Sequence, residues 1–230
     1  MVFRRIFSIA GTFLFFTGIV QAQTIEGPNY ALKSHETLEI KKIVKNDKGT
    51  TFWMSIENKI QDGAFCADKN IYIGYPDGSK SKIISSNGIP VCPDSYKFKY
   101  PGEKLDFILV FPPLKPGTEW IDLVEDCSDN CFSFYGLITG NTLNSKIDDA
   151  FVLAEKNEPA GAMVSFIKIA EETGKKNSGI SPLLYINIIK LAKETGNSVK
   201  AAEWYNRLKT TGYKGADRYL NFLNNQGIAY

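Results

Sequence analysis

From about residue 28 to 139 the chain alternates apolar and polar residues in short runs, which predicts half-buried β-strands. Leu38 and Ile40 alternate, as do Phe52, Met54 and Ile56, Ile71 and Ile73, and Tyr96, Phe98 and Tyr100. The longest such run is Leu105, Phe107, Leu109 and Phe111, followed by Ile121 and Leu123 and by Phe132 and Phe134. Turn chemistry separates them: Asp47-Lys48-Gly49, Pro76-Asp77-Gly78, Asn87-Gly88, Pro101-Gly102 and Pro116-Gly117 supply fixed or positive φ for chain reversals. About seven to nine strands at this spacing predict an antiparallel β-sandwich over residues 24–140.

After Gly140 the period lengthens from two to about 3.6. Five successive sets follow it: Ile147, Ala150, Phe151, Ala154; Met163, Phe166, Ile167, Ala170; Leu184, Asn187, Ile188, Leu191; Ala201, Trp204, Tyr205, Leu208; and Ala216, Tyr219, Leu220, Leu223. Ser145 with Asp148, and Ser181 before Pro182, read as helix starts, and Gly174, Gly196, Gly212 and Gly227 as stops. Residues 145–230 are therefore predicted to be all helix, and the fold class α+β in two domains. The intervening Gly140-Asn141-Thr142-Leu143-Asn144 is too short for a free linker.

The helices repeat. Leu153-Ala154 followed by Ala162 and Phe166 returns as Leu191-Ala192 followed by Ala201 and Tyr205. Gly196-Asn197, Lys200-Ala201, Glu203-Trp204-Tyr205, Leu208, Gly212, Ala216 and Leu220 resemble the tetratricopeptide and Sel1-like repeat families. That resemblance implies antiparallel helix pairs whose first helices line a concave groove that holds a protein or peptide. Asn187, Lys190 and Glu194 form the one polar stripe on an otherwise apolar helix, so by resemblance they are the candidate partner contacts. The β half more loosely resembles immunoglobulin-like domains of exported bacterial proteins. It does so through Thr51-Phe52, Ile56-Glu57-Asn58, Ile121-Asp122-Leu123-Val124-Glu125 and the run Cys131 to Gly136.

The start of the chain sets the compartment. Arg4 and Arg5 precede an apolar run from Ile6 to Val20 that closes on Val20-Gln21-Ala22, the pattern of a secretory signal peptide over residues 1–22, cleaved after Ala22. The run is about fifteen residues, short of the roughly twenty that span a bilayer, so no transmembrane anchor is expected after cleavage. An exported chain, periplasmic or extracellular, keeps disulfides. Cys66, Cys92, Cys127 and Cys131 allow three pairings; Cys66 with Cys92 and Cys127 with Cys131 is the favoured one, closing one long loop and one tight turn. A four-cysteine zinc site is the rival, weakened by the presence of only one close pair.

Charge and chemistry narrow the function. There are 27 basic and 25 acidic residues, and neither half carries the dense positive field that nucleic acid requires. His35 is the single histidine, beside charged neighbours, and reads as a surface residue rather than a catalytic base. Glu125, Asp126 and Asp129 bracket a cysteine pair but lack the order of a calcium loop, and read as a solvated turn. Trp204 and Tyr205 have core spacing. No glycine-rich phosphate loop follows a strand, and no catalytic residue, cofactor or metal site is assigned. The expectation is a non-enzymatic binding or scaffolding protein. The alternatives are a structural envelope protein without a groove, and a hydrolase using carboxylates alone, with Asp122, Glu125 and Asp126 as available acids.

Overall fold

The computed structural model describes residues 22–173, 178–210, 212–213 and 215–230. The expected leader up to Gln21 and the expected helix stop at Gly174 lie outside the described residues. The strands come first: β1 Gln23–Glu26, β2 Leu32–Lys33, β3 Leu38–Lys45, β4 Thr50–Glu57, β5 Ala64–Phe65, β6 Ile71–Gly74, β7 Lys80–Lys82, β8 Ser85–Asn87, β9 Tyr96–Lys97, β10 Lys104–Phe111, β11 Trp120–Glu125 and β12 Ser133–Ile138. Then come α1 Asn141–Glu155, α2 Pro159–Thr173, α3 Ser181–Glu194, α4 Ser198–Thr210 and α5 Ala216–Asn225.

Two five-stranded antiparallel sheets form, in the orders β1-β3-β4-β10-β8 and β2-β12-β11-β6-β7, with β5 and β9 as a separate pair. Their inward residues make one core. Leu38, Phe52, Met54, Leu109 and Phe111 from the first sheet lie in it with Ile71, Ile73, Leu123 and Phe134 from the second. Alternation produced this result wherever a strand was long. One break in it has a physical cause: the β3–β4 register shifts between Ile40 and Lys42, so a bulge lets both Ile40 and Ile43 face inward although three residues apart.

The structure holds more strands than the seven to nine expected, because β1, β2, β5, β7, β8 and β9 run only two to four residues. A strand that short has too few positions to display a period, and it exists because a neighbouring edge supplies its hydrogen bonds. Tyr100, expected in an alternating run, lies beyond β9 and is exposed.

All five predicted helices are present, with corrected ends. Gly140 is the N-cap of α1, so the helix starts at Asn141 and Ser145 is an exposed residue inside it. The connecting residues Leu143 and Asn144 are thereby buried in its first turn. Ile180, the end of a 3-10 turn over Ser178–Ile180, is the cap position of α3, so Ser181 is its first buried residue rather than its cap. Gly196, Gly212 and Gly227 do occupy positive φ at helix ends.

Each helix packs on the next, and α3, with nine buried residues, is held between α2 and α4. The helical core is continuous with the second sheet, since Trp120 of β11 and Ile138 of β12 belong to it. Gly179 makes that approach possible: a Cβ there would stand 1.8 Å from the Trp120 ring. Among the described residues no helix is long and apolar enough to cross a membrane.

Candidate functional site

A groove of about 510 Å³ opens where the helices meet the edge of the first sheet. Its helical wall is α3, presenting Leu183, Ile186, Asn187 and Lys190, with Phe151 of α1 and Phe222 of α5 at its sides. Its other wall is the segment Gly27–Ala31, which leaves β1 and runs toward the helices, together with Glu39–Lys41 of β3. Gly27 is in the left-handed region at φ 49°, which turns the chain off the β3 edge there.

The wall is locked to the helices. Asn29 donates its backbone N–H (2.8 Å) and its side-chain amide (3.0 Å) to Asn144 Oδ1, and the same amide reaches Asp148 Oδ1 at 2.7 Å. Asn144 returns a bond from Nδ2 to Asp148 Oδ2 at 3.0 Å.

Two of the three stripe residues meet at this groove. Asn187 is half-buried and donates from Nδ2 to Leu183 O at 2.8 Å. The Lys190 ammonium sits 5.9 Å from the Phe222 ring centroid. Glu194 is exposed on the last turn of α3 and does not line the groove. The stripe therefore splits: Asn187 and Lys190 line the groove and Glu194, a turn further along α3, does not. Across the groove Lys41 is paired with Asp106 at 2.8 Å. The residues missed in sequence were those of the sheet wall, Asn29 and Tyr30. Their only local signal was the turn pair Gly27-Pro28, and their position depends on Asn144, 115 residues away.

A second cavity, about 520 Å³, lies at the opposite end of β11, where the loops carrying the four cysteines converge. The disulfides are Cys66–Cys92 and Cys127–Cys131, and both line it. His35 stacks edge-on to Phe65 with ring centroids 6.2 Å apart, and its Nδ1 lies 2.9 Å from Ser34 Oγ. It is half-buried at the rim rather than free on the surface, and burial lowers its affinity for a proton. Ser34 Oγ also accepts from Ser133 N at 2.9 Å, so this hydroxyl ties the chain before β3 to β12.

Glu125 departs furthest from its expected role. It is 6% exposed, accepts the backbone N–H of Asp68 at 2.7 Å on one oxygen and that of Phe132 at 3.0 Å on the other, and so clamps two loops. Burial pushes its proton affinity up against those bonds. Asp126 and Asp129 are exposed, as a solvated turn requires. Asp122 is not in this cavity. It lies under the helices, accepts Gly136 N at 2.8 Å and feels the charge of Arg218, yet burial still raises it. The three acids considered for hydrolysis thus do not converge; the carboxylate beside Glu125 is Asp68, whose Oδ1 accepts Asn70 N at 2.7 Å.

Trp204 and Tyr205 are buried in the helical core. Among the described residues no group of three or more His, Cys, Asp or Glu is placed to hold a metal ion. Compared with models of known protein families, with curated proteins and with solved structures, the chain matches none.

Proposed function

We propose that this is an exported, non-enzymatic binding protein that takes an extended segment of a protein partner in the groove between α3 and the Gly27–Ala31 segment. In this reading the first half is an immunoglobulin-like sandwich and the second a tetratricopeptide-like array. The pairing of α1 with α2 and of α3 with α4, each at the repeat offset, supports the array, with α5 as the closing helix. Two disulfides and the leader-like start support export.

The observation that carries the proposal is the make-up of the groove. Apolar side chains, Leu183, Ile186, Phe151 and Phe222, line its helical side. Lys190 stands at its rim, Lys41 opposite is held by Asp106, and the wall facing α3 is pinned by the Asn29–Asn144 bonds. A prearranged cleft with an apolar helical side costs little to occupy. Binding is favoured over carboxylate catalysis because both oxygens of Glu125 are engaged by backbone N–H groups.

The test is selection of a displayed peptide library on the oxidised protein. Selected peptides should carry apolar residues with a nearby acid, and lose about tenfold or more in affinity against Lys190→Glu with Asn187→Trp. Peptides that bind this double variant as well as the native protein would remove the groove, and failure to select any would favour a structural role.

A further inference from the structure

The cavity at the disulfide end has a composition the groove does not share. Its walls are apolar and polarisable: Phe65, Phe98, Ile56 and the two disulfides, with Ile60 at the rim and 65% exposed. Its charges are mostly of one sign. Four carboxylates line it, Glu57, Asp68, Glu125 and Asp129, against one ammonium, Lys59, which Glu57 already holds. Lys104 reaches Glu57 as well, at 3.6 Å, so two ammoniums answer the one Glu57 carboxylate and the remaining carboxylates of the cavity are Asp68, Glu125 and Asp129. Low-dielectric walls around charges of one sign focus their field into the concavity rather than letting water disperse it.

The geometry is held in place. The Cys66–Cys92 bridge fixes the loop that carries Asp68, the Cys127–Cys131 bridge fixes the turn that carries Asp129, and Glu125 joins the two through Asp68 N and Phe132 N. His35 faces the same space against Phe65.

We infer that this cavity is a second binding site, separate from the groove, that receives a basic side chain, lysine or arginine, presented by a peptide. An alkyl or guanidinium-bearing chain matches the site twice. Its stem replaces water against Phe65, Phe98 and Ile60, and its charged end meets the Asp68 and Asp129 carboxylates, with the aromatic faces adding cation–π attraction. The volume is that of a small-ligand pocket, ample for one such side chain.

His35 makes the test local, since it is the only histidine and its imidazole gives a single set of NMR signals. The oxidised full chain is titrated with acetyl-Gly-Arg-Gly-amide, with its lysine counterpart, with the neutral citrulline isostere, and with free 1,5-diaminopentane. The expected result is a saturable shift of the His35 signals by the arginine and lysine peptides. Their affinity should exceed that of the citrulline peptide about tenfold and weaken several-fold with added salt. Asp129→Asn, on the exposed turn, and Asp68→Asn, which keeps an acceptor for Asn70 N, should each weaken binding about threefold or more while the remaining spectrum stays native. Equal binding of the citrulline peptide, no shift of His35 by either basic peptide, or saturation by the free diamine alone would each overturn the assignment. None of these outcomes bears on Lys190 or the groove.

Discussion

Asn144 Oδ1 accepts two hydrogen bonds from Asn29, 115 residues earlier, one from the backbone N–H and one from the side-chain amide. Asn144 is 4% exposed, so neither bond can be replaced by water without moving the helix away from the strand segment. This pair joins the β part to the α part and also holds one wall of the groove.

Asn144→Ala should therefore cost about 1–3 kcal/mol, the penalty for leaving a part-buried N–H unsatisfied. Urea unfolding followed by far-ultraviolet circular dichroism and by tryptophan fluorescence would check it. The two probes should move together, because Trp120 belongs to the helical core although it sits on a strand. Separate transitions for the two signals would contradict the shared core.

Gly179→Ala tests the same junction from the other side. The new methyl would stand 1.8 Å from the Trp120 ring, and nothing short of a shift of the ring or of the turn relieves that. Overpacking of this kind costs about 1–3 kcal/mol or more, and the loss should appear as a lowered denaturant midpoint with an altered tryptophan emission. A neutral variant would mean that the helices do not sit on β11 as described.

The disulfides should differ in worth. Cys66–Cys92 spans 26 residues and Cys127–Cys131 only 4. By loop-closure entropy the first contributes about 3.5 kcal/mol and the second about 2 kcal/mol. The tight turn is also held by Glu125 through Phe132 N, so the Cys127→Ser, Cys131→Ser pair should keep its fold more readily than the Cys66→Ser, Cys92→Ser pair. Comparing the two double variants in thermal unfolding decides it, and a reversed order would refute the ranking.

Asp122 gives a pH-dependent prediction. Burial raises its folded affinity for protons above the unfolded value of 3.8, so the native state holds more protons than the unfolded state in the window just above that value. Stability contributed at this site is full below the unfolded value and declines as pH rises through the raised one. Asp122→Asn keeps an oxygen for Gly136 N and removes the titration. The difference in stability between native and variant, measured from pH 3 to 7, should grow in favour of the variant as pH rises. A flat difference would show that Arg218 offsets the burial. Taking the difference cancels carboxylates such as Asp106 and Glu203, which ion pairs pull the other way.

The long elements were legible because their periods are sustained: Leu105 to Phe111 shows four inward residues in β10, and α3 shows its apolar faces over fourteen residues. The cysteine pairing could be favoured from loop lengths, and the pairing found is the favoured one. Asn187 and Lys190 could be singled out as polar positions on an apolar helix.

What tertiary structure decided is everything that depends on two distant segments meeting. Local period places a residue on a face but carries no record of what that face will touch. The short strands exist only by pairing, the helices settle on the second sheet because Gly179 lets Trp120 approach, and Glu125 is buried because loops from residues 68 and 132 close on it. Likewise Asn29 lies in the groove because its bonds to Asn144, 115 residues away, bring the Gly27–Ala31 segment against the helices, and Glu194 lies outside it although it shares a stripe with Asn187 and Lys190.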